Sequence, residues 1–248
     1  MRGVVLGICP EATLVDITHD VPPQDIAAAA HELAAAYTYF PSGTVFLCVV
    51  DPGVGSSRKA LAADAGGYRF VAPDNGLLSG VFNQTPPTRV VELTEAKYAR
   101  PTVSRTFEGR DRFAPAAAWV AAGVELTALG PPLSVWATLS MPTPREENGQ
   151  LSGVVVRVDH FGNLVTNIDR RHFDRLVGGR PFQIVVADGP VAQLVSTYAE
   201  GDPGSPCALF GSTDHLEIAT SGGSAANRLG LTRGARVVVR FDASNAKS

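Results

Sequence analysis

The chain has 248 residues, 45% of them hydrophobic and 18% charged, with a net charge of −3. This is the composition of a soluble globular protein with a sizeable core, in one large domain or two modest ones. The charge leaves no footprint for nucleic acid or an anionic membrane, and no apolar run approaches the ~20 residues that span a bilayer.

The N-terminus lacks a signal-peptide pattern. The three cysteines, Cys9, Cys48 and Cys207, are odd in number and far apart, which suits free thiols in a reducing cytoplasm. A cytoplasmic location is therefore expected.

Residues 3–9 form an apolar run without alternation, so periodicity does not separate strand from helix, and Pro10 ends the run either way. Residues 13–18 alternate and are β-branched, which predicts a strand. Pro22-Pro23-Gln24-Asp25 opens a helix reaching about Phe40, and Pro41-Ser42-Gly43 turns into a strand over 44–48. Strand, helix and strand in this order predict a parallel α/β unit.

Residues 61–65 and 68–72 read as a hairpin around Gly66-Gly67. A short helix over 77–82, a strand over 90–93 and an Ala-rich helix over 114–123 follow. Four prolines between 131 and 144, then Arg145 to Gly149, mark a linker. Beyond it, strands are predicted over 153–159, 164–168, 182–187, 215–219 and 236–241. The expected fold class is α/β: a parallel-sheet N-terminal domain over 1–140, a linker over 141–150, and a smaller antiparallel β-barrel or sandwich over 151–248.

Four polar clusters are candidates for chemistry. Asp51 sits where the 44–48 strand would end, and Pro52, Gly53 and Gly55 can turn the chain so that Arg58 returns to it. A carboxylate at the carboxyl end of a strand is a common functional placement in α/β sheets, although the same residues also suit a surface turn. Pro73-Asp74-Asn75-Gly76 reads as a turn. Glu108-Gly109-Arg110-Asp111 is either functional or an acidic start to the next helix.

Asp159-His160-Phe161-Gly162-Asn163, with Thr166 and Asn167, is the most unusual cluster. Asp159 and Asn163 can read a hydrogen-bonding ligand edge while Phe161 stacks on its face, or the stretch is an Asx turn. No metal-ligand spacing, P-loop, dinucleotide fingerprint or nucleophile elbow is present, so no metal and no cofactor are expected.

Taken in order, these stretches resemble the S-adenosyl-L-methionine (SAM) hydroxide adenosyltransferases, or SAM hydrolases, relatives of the fluorinases and chlorinases. The resemblance is carried by Val15-Asp16-Ile17-Thr18-His19, Val21-Pro22-Pro23-Gln24-Asp25, Tyr39-Phe40-Pro41-Ser42-Gly43-Thr44 and Asp51-Pro52-Gly53-Val54-Gly55. It continues through Pro73-Asp74-Asn75-Gly76-Leu77-Leu78, residues 107–115 and Phe161-Gly162-Asn163-Leu164-Val165-Thr166-Asn167.

The resemblance implies hydrolysis of SAM to adenosine and L-methionine by a homotrimer with SAM between neighbouring subunits. It places Asp51 and Arg58 in the water-handling group, with Glu108 where the family usually has His. Phe107, Asp159, Phe161, Asn163 and Ser212 would line the nucleoside and methionine pocket. Ser221 replaces an Asn of the family's late loop. The family's opening strand, with its Thr-Asp-Phe-Gly signature, has no counterpart ahead of Met1, so residues 3–9 are assigned to the following helix and a weaker hold on the ribose is expected. Two other functions compete with hydrolysis: a SAM or adenosine binder without turnover, and a SAM-dependent halogenase. The halogenase is disfavoured because the Asp51 carboxylate would repel an incoming anion.

Overall fold

The computed structural model describes residues 1–187, 189–191 and 193–241. The chain divides into two compact units, residues 1–141 and 142–248.

In the first unit, α1 (Arg2–Ile8) settles the undecided N-terminal run as a helix. Residues 13–18, expected as a strand, pair with nothing in a sheet, and Val15 is 64% exposed. Their alternation fits a pleated strand, but a strand exists only when a neighbour takes its backbone groups. Helix α2 (Ile26–Ala36) begins at Asp25, whose carboxylate accepts from the Ala28 N–H at 2.9 Å, and ends in a 3₁₀ turn over Tyr37–Tyr39.

Strands β1 (Val45–Leu47), β2 (Ala60–Ala65), β3 (Tyr68–Pro73) and, after helix α3 (Ser79–Gln84), β4 (Arg89–Glu92) form one sheet in the order β1-β3-β2-β4. The expected parallel sheet is corrected here: only β1 and β3 run parallel, while β2 is antiparallel to both β3 and β4. The cause is local. Gly66 and Gly67 both take positive φ, 60° and 82°, which closes a two-residue hairpin and reverses the chain.

Alternation along β2 divides the core into two layers. Leu61, Ala63 and Ala65 join Leu33 of α2 and Tyr37 of the 3₁₀ turn on one face. Ala60 and Ala62 join Phe113, Ala116 and Val120 on the other, under helix α4 (Ala114–Ala121). The sheet is thus covered on both faces.

Before α4, residues Gly109–Phe113 make a π-helical turn. Pro115 has no N–H to give the Asp111 carbonyl, and the Arg100 N–H fills that place at 2.8 Å.

In the second unit, residues 145–147, within the stretch expected to be a linker, pair as β5 (Arg145–Glu147) with β6 (Gln150–Val158). Then come β7 (Leu164–Asp169), helix α5 (Arg170–Val177), β8 (Phe182–Val186), β9 (Gly189–Val191), β10 (Pro206–Phe210), β11 (His215–Thr220), helix α6 (Ala225–Leu229) and β12 (Arg236–Phe241).

The sheet order is β10-β11-β7-β6-β12-β8-β9, and every pairing among these strands is antiparallel. The chain after β9 returns to β10, where the Ala208 N–H donates to the Gln193 carbonyl at 2.8 Å, so the sheet nearly closes as a barrel. Its core holds Leu151, Val155, Leu164, Ile168, Ile218 and Val237, with Phe173 and Leu176 of α5 packed against them.

Candidate functional site

The residues singled out by sequence gather in two clusters, one in each unit. In the first, the chain leaves β1 and folds back over 51–58. The Val54 N–H donates to the Asp51 carbonyl at 3.3 Å, and the Ser56 N–H donates to Gly53 at 3.1 Å. Gly55 takes φ 78°, and a Cβ there would run into the Arg105 carbonyl.

The turn delivers Arg58 to Asp51. Its Nε donates to Asp51 Oδ1 at 2.9 Å, and its Nη2 donates both to Asp51 Oδ2 and to Glu108 Oε2. The side chains are nearly dry: Asp51 is 5% exposed, Arg58 10% and Glu108 13%. The guanidinium also lies 5.2 Å from the centre of the Phe113 ring.

Burial alone would make Arg58 less basic. The hydrogen bonds and charge of Asp51, and then of Glu108, outweigh it and leave its pKa above the ordinary value. The fork-on-carboxylate geometry fixes Asp51 in orientation while leaving lone pairs free to accept from a water.

The Pro73–Gly76 turn braces this loop at both ends. Asn75 Nδ2 donates to the Val50 carbonyl at 2.9 Å, and the Asp74 N–H donates to the Lys59 carbonyl at 2.9 Å. Asp74 and Asn75 therefore support the site by holding its backbone. A groove of about 490 Å³ runs beside β1, lined by residues 13–19 and by Val49 and Val50, the two residues before Asp51. Asp16 on that wall is paired with Arg2.

Asp111 plays a different part. It is fully buried and held by Arg110 through Nε at 2.7 Å and Nη2 at 2.9 Å, and by the Ser104 N–H at 2.9 Å. The Arg110 hydrogen bond and then the Ser104 N–H lower its pKa from 3.8 to about 2, against the opposing effect of burial.

A carboxyl depressed on folding stabilises the fold above its unfolded pKa and loses that contribution as pH falls through the folded value. Asp111→Asn is therefore expected to destabilise the first unit at neutral pH, with the difference from wild type vanishing between pH 3.8 and about 2. Both tryptophans, Trp119 and Trp136, lie in this unit, so their fluorescence during urea unfolding at several pH values reads the effect. A difference that persists unchanged at pH 2 would show that Asp111 contributes by packing and not by charge.

Phe107, next to Glu108, is 59% exposed, with the Arg110 guanidinium 5.1 Å from its ring centre.

In the second unit, the turn between β6 and β7 brings together Asp159, Phe161 and Asn163. Asp159 Oδ1 accepts from the N–H groups of Phe161 at 2.9 Å and Asn163 at 2.8 Å, and its Oδ2 accepts from Asn163 Nδ2 at 2.9 Å. The Asx turn weighed from the sequence is thus formed. It also fixes Asn163, which is buried, and holds Phe161 out with 77% of its surface exposed.

Gly162, at φ 84°, leaves no room for a Cβ because Ser224 of the 221–224 loop lies against it. The Ala226 N–H donates to the Gly162 carbonyl at 2.9 Å, so the two loops are one surface. Ser212 is exposed in the turn between β10 and β11. Thr166 and Asn167 serve the barrel instead: Thr166 Oγ1 accepts from the Ile168 N–H at 3.1 Å, while Asn167 accepts from the Val154 N–H at 2.8 Å and donates to the Pro142 carbonyl at 2.9 Å.

Two features escape the sequence reading. Glu217, buried on β11, accepts from the Tyr198 hydroxyl at 2.8 Å, and burial followed by this carboxylate raises the Tyr198 pKa. A lone Glu inside the apolar run Leu216-Glu217-Ile218-Ala219 was the available signal. Arg112 is the other, with Nη2 3.4 Å from Glu108 Oε1; its i, i+4 spacing from Glu108 was visible.

Cys9, Cys48 and Cys207 are free, and burial pushes the Cys48 thiol up to about 12. Among the described residues, no three His, Cys, Asp or Glu side chains come together as a metal-holding group, and no helix is long and apolar enough to cross a membrane.

The SAM hydroxide adenosyltransferase N-terminal domain matches residues 1–130, and the C-terminal domain of the same family matches residues 153–238. The chain belongs to the SAM hydroxide adenosyltransferase family.

Among its relatives, an (R)-S-adenosyl-L-methionine hydrolase of Thermus thermophilus is 38% identical over 94% of this chain and 90% of its own length. A fluorinase of an Actinoplanes species is 30% identical over 96% of this chain and 91% of its own. A solved structure of an uncharacterised conserved protein from Thermotoga maritima superposes with a TM-score of 0.91 at 34% identity, covering 96% of this chain and 93% of that one.

Proposed function

We propose that this protein hydrolyses SAM to adenosine and L-methionine. The observation that carries the reading is the buried Asp51–Arg58 fork at the exit of β1, in a chain whose relatives at 36–38% identity are named as (R)-SAM hydrolases.

Water attacks C5′ of the ribose in line with the sulfonium. The C5′–S bond breaks with its electron pair on sulfur, which leaves as the neutral thioether of methionine, and the water proton passes to a carboxylate or to solvent. Such a leaving group needs no acid catalyst, so alignment and an oriented water supply the rate. Asp51 accepts from the attacking water, Arg58 holds Asp51 in place through its two-pronged contact, and Glu108 completes the group through the same guanidinium.

Phe107 and Phe161 offer aromatic faces to the adenine or the thioether. Asp159, Asn163 and Ser212 supply the polar contacts to nucleoside and methionine, and the turn geometry has already oriented the first two. Neither a metal nor a cofactor takes part.

The protein acts as a homotrimer with SAM held between neighbouring copies. The two uncovered aromatic rings, 59% and 77% exposed in the single chain, support this arrangement. Light scattering is expected to give three times the chain mass of 26.0 kDa, and an active monomer would refute it.

Halogenation is the weaker reading: the fluorinases stand at 28–30% identity, and the Asp51 carboxylate opposes an incoming halide. Incubation with SAM, with and without chloride, separates the readings by chromatography. Adenosine in both samples is the expected result. A chlorinated nucleoside, or SAM bound but unchanged, would overturn it.

A further inference from the structure

Glu108 has two carboxylate oxygens and each faces a different guanidinium. Oε2 accepts from Arg58, and Oε1 lies 3.4 Å from Nη2 of Arg112, one helical turn further along. We infer that Arg112 is a positioning residue, which holds Glu108 in the catalytic group by supplying the second positive charge of an alternating row, Asp51, Arg58, Glu108, Arg112. This rests on the hydrolase reading for its catalytic consequence, and on the geometry alone for the pairing.

Asp51 and Glu108 are nearly excluded from water and share one guanidinium, which leaves a buried charge of −1 without a further cation. Arg58 commits Nε and Nη2 to Asp51 and gives Glu108 only a share of Nη2. A second carboxylate beside the first is tolerated in a dry site only when it too is paired.

Arg112 is anchored to do this. Its Nη1 donates to the Leu93 carbonyl, just past β4, at 3.2 Å, which fixes the far end of the guanidinium and turns Nη2 toward Glu108.

The Arg112 Nε is buried with no acceptor. A buried donor without a partner is destabilising, and an apolar side chain at the same place would carry no such group. Arg112 is therefore poorly suited to fill space, and its distinctive contribution is the charge it brings to Glu108. Without it, Glu108 would be free to turn away from Arg58, and the geometry around Asp51 would loosen.

The test is a double-mutant cycle of wild type, Glu108→Gln, Arg112→Leu and the double variant, with Arg112→Lys as a conservative control. Adenosine formation gives kcat and KM for SAM. Arg112→Leu is expected to lower kcat about tenfold or more with KM within about threefold of wild type, because positioning acts on the transition state and not on substrate binding. In the Glu108→Gln background the same change should lower kcat by less than about threefold, since coupled residues are non-additive.

Arg112→Lys should recover most of the loss. Arg112→Met, which also lacks the charge, replaces Arg112→Leu in the cycle if the leucine variant does not fold. Wild-type kcat in Arg112→Leu, or the same fold loss in both backgrounds, would overturn the inference. A wild-type protein that makes no adenosine would sink the hydrolase reading instead. The melting temperatures of the same four proteins then decide the pairing, with non-additive shifts supporting it and additive shifts refuting it.

Discussion

Asp51→Ala is expected to cut adenosine formation by about 10²–10⁴-fold while SAM binding largely survives, the usual loss when a positioned acid–base group is removed. The selectivity of the effect follows from where Asp51 sits. It is 5% exposed at the end of the turn after β1, and its contacts are with Arg58 and with the backbone of its own turn. Arg58 retains Glu108 as a partner in the variant, so the cation stays paired and the loop stays closed. Asp51→Asn keeps the size and should lose nearly as much turnover, because an amide is a poorer acceptor for the water proton. Single-turnover rates with calorimetric SAM affinity check both variants. Turnover near wild type in Asp51→Ala would remove Asp51 from the mechanism.

Arg58→Met is expected to have the largest effect on stability, about 3–5 kcal/mol, the range for removing one partner of a buried ion pair. Methionine fills much of the volume but leaves Asp51 and Glu108, 5% and 13% exposed, without the guanidinium they share. Arg58→Lys should recover only part of the loss, since an ammonium cannot reproduce the two-pronged contact with Asp51.

Asp51→Asn and Glu108→Gln added to Arg58→Met should restore much of the stability by removing the repulsion. The transition of residues 1–141 followed by tryptophan fluorescence in urea reads the change. An unmoved midpoint would mean that water reaches the carboxylates and screens them.

Much of this arrangement was legible in the sequence, and the parts that were not share a cause. Asp51-Pro52-Gly53-Val54-Gly55 announced a turn because its residues fix φ locally, and the structure folds it that way to return Arg58 to Asp51. Gly66-Gly67 announced a hairpin for the same reason. Residues 13–18 misled because alternation states only that a segment fits a sheet, and whether a neighbour is there to pair with it is a non-local fact.

The expected parallel sheet fails for the same reason, since only the β1–β3 pair is parallel once 13–18 drops out. Helix α5 was missed although its signals were present: Asp169 caps it by accepting from the His172 N–H at 2.8 Å, Phe173, Leu176 and Val177 lie on one face, and Gly178 ends it in the left-handed region. The strand signals on either side dominate this part of the sequence and mask it.

At the site, the sequence leaves Asp159 and Asn163 as ligand readers or turn formers, and the structure forms the turn that orients them. Glu108 was visible as a carboxylate where the family usually has His. Its place between Arg58 and Arg112 was not, because one of those contacts spans fifty residues of chain.

If water attacks C5′ of SAM, its oxygen ends in the nucleoside, which the reaction run in H₂¹⁸O with both products analysed by mass spectrometry reads out. One ¹⁸O atom is expected in the 5′-hydroxyl of adenosine and none in methionine. Adenosine without the label, or no adenosine from SAM at all, would contradict it.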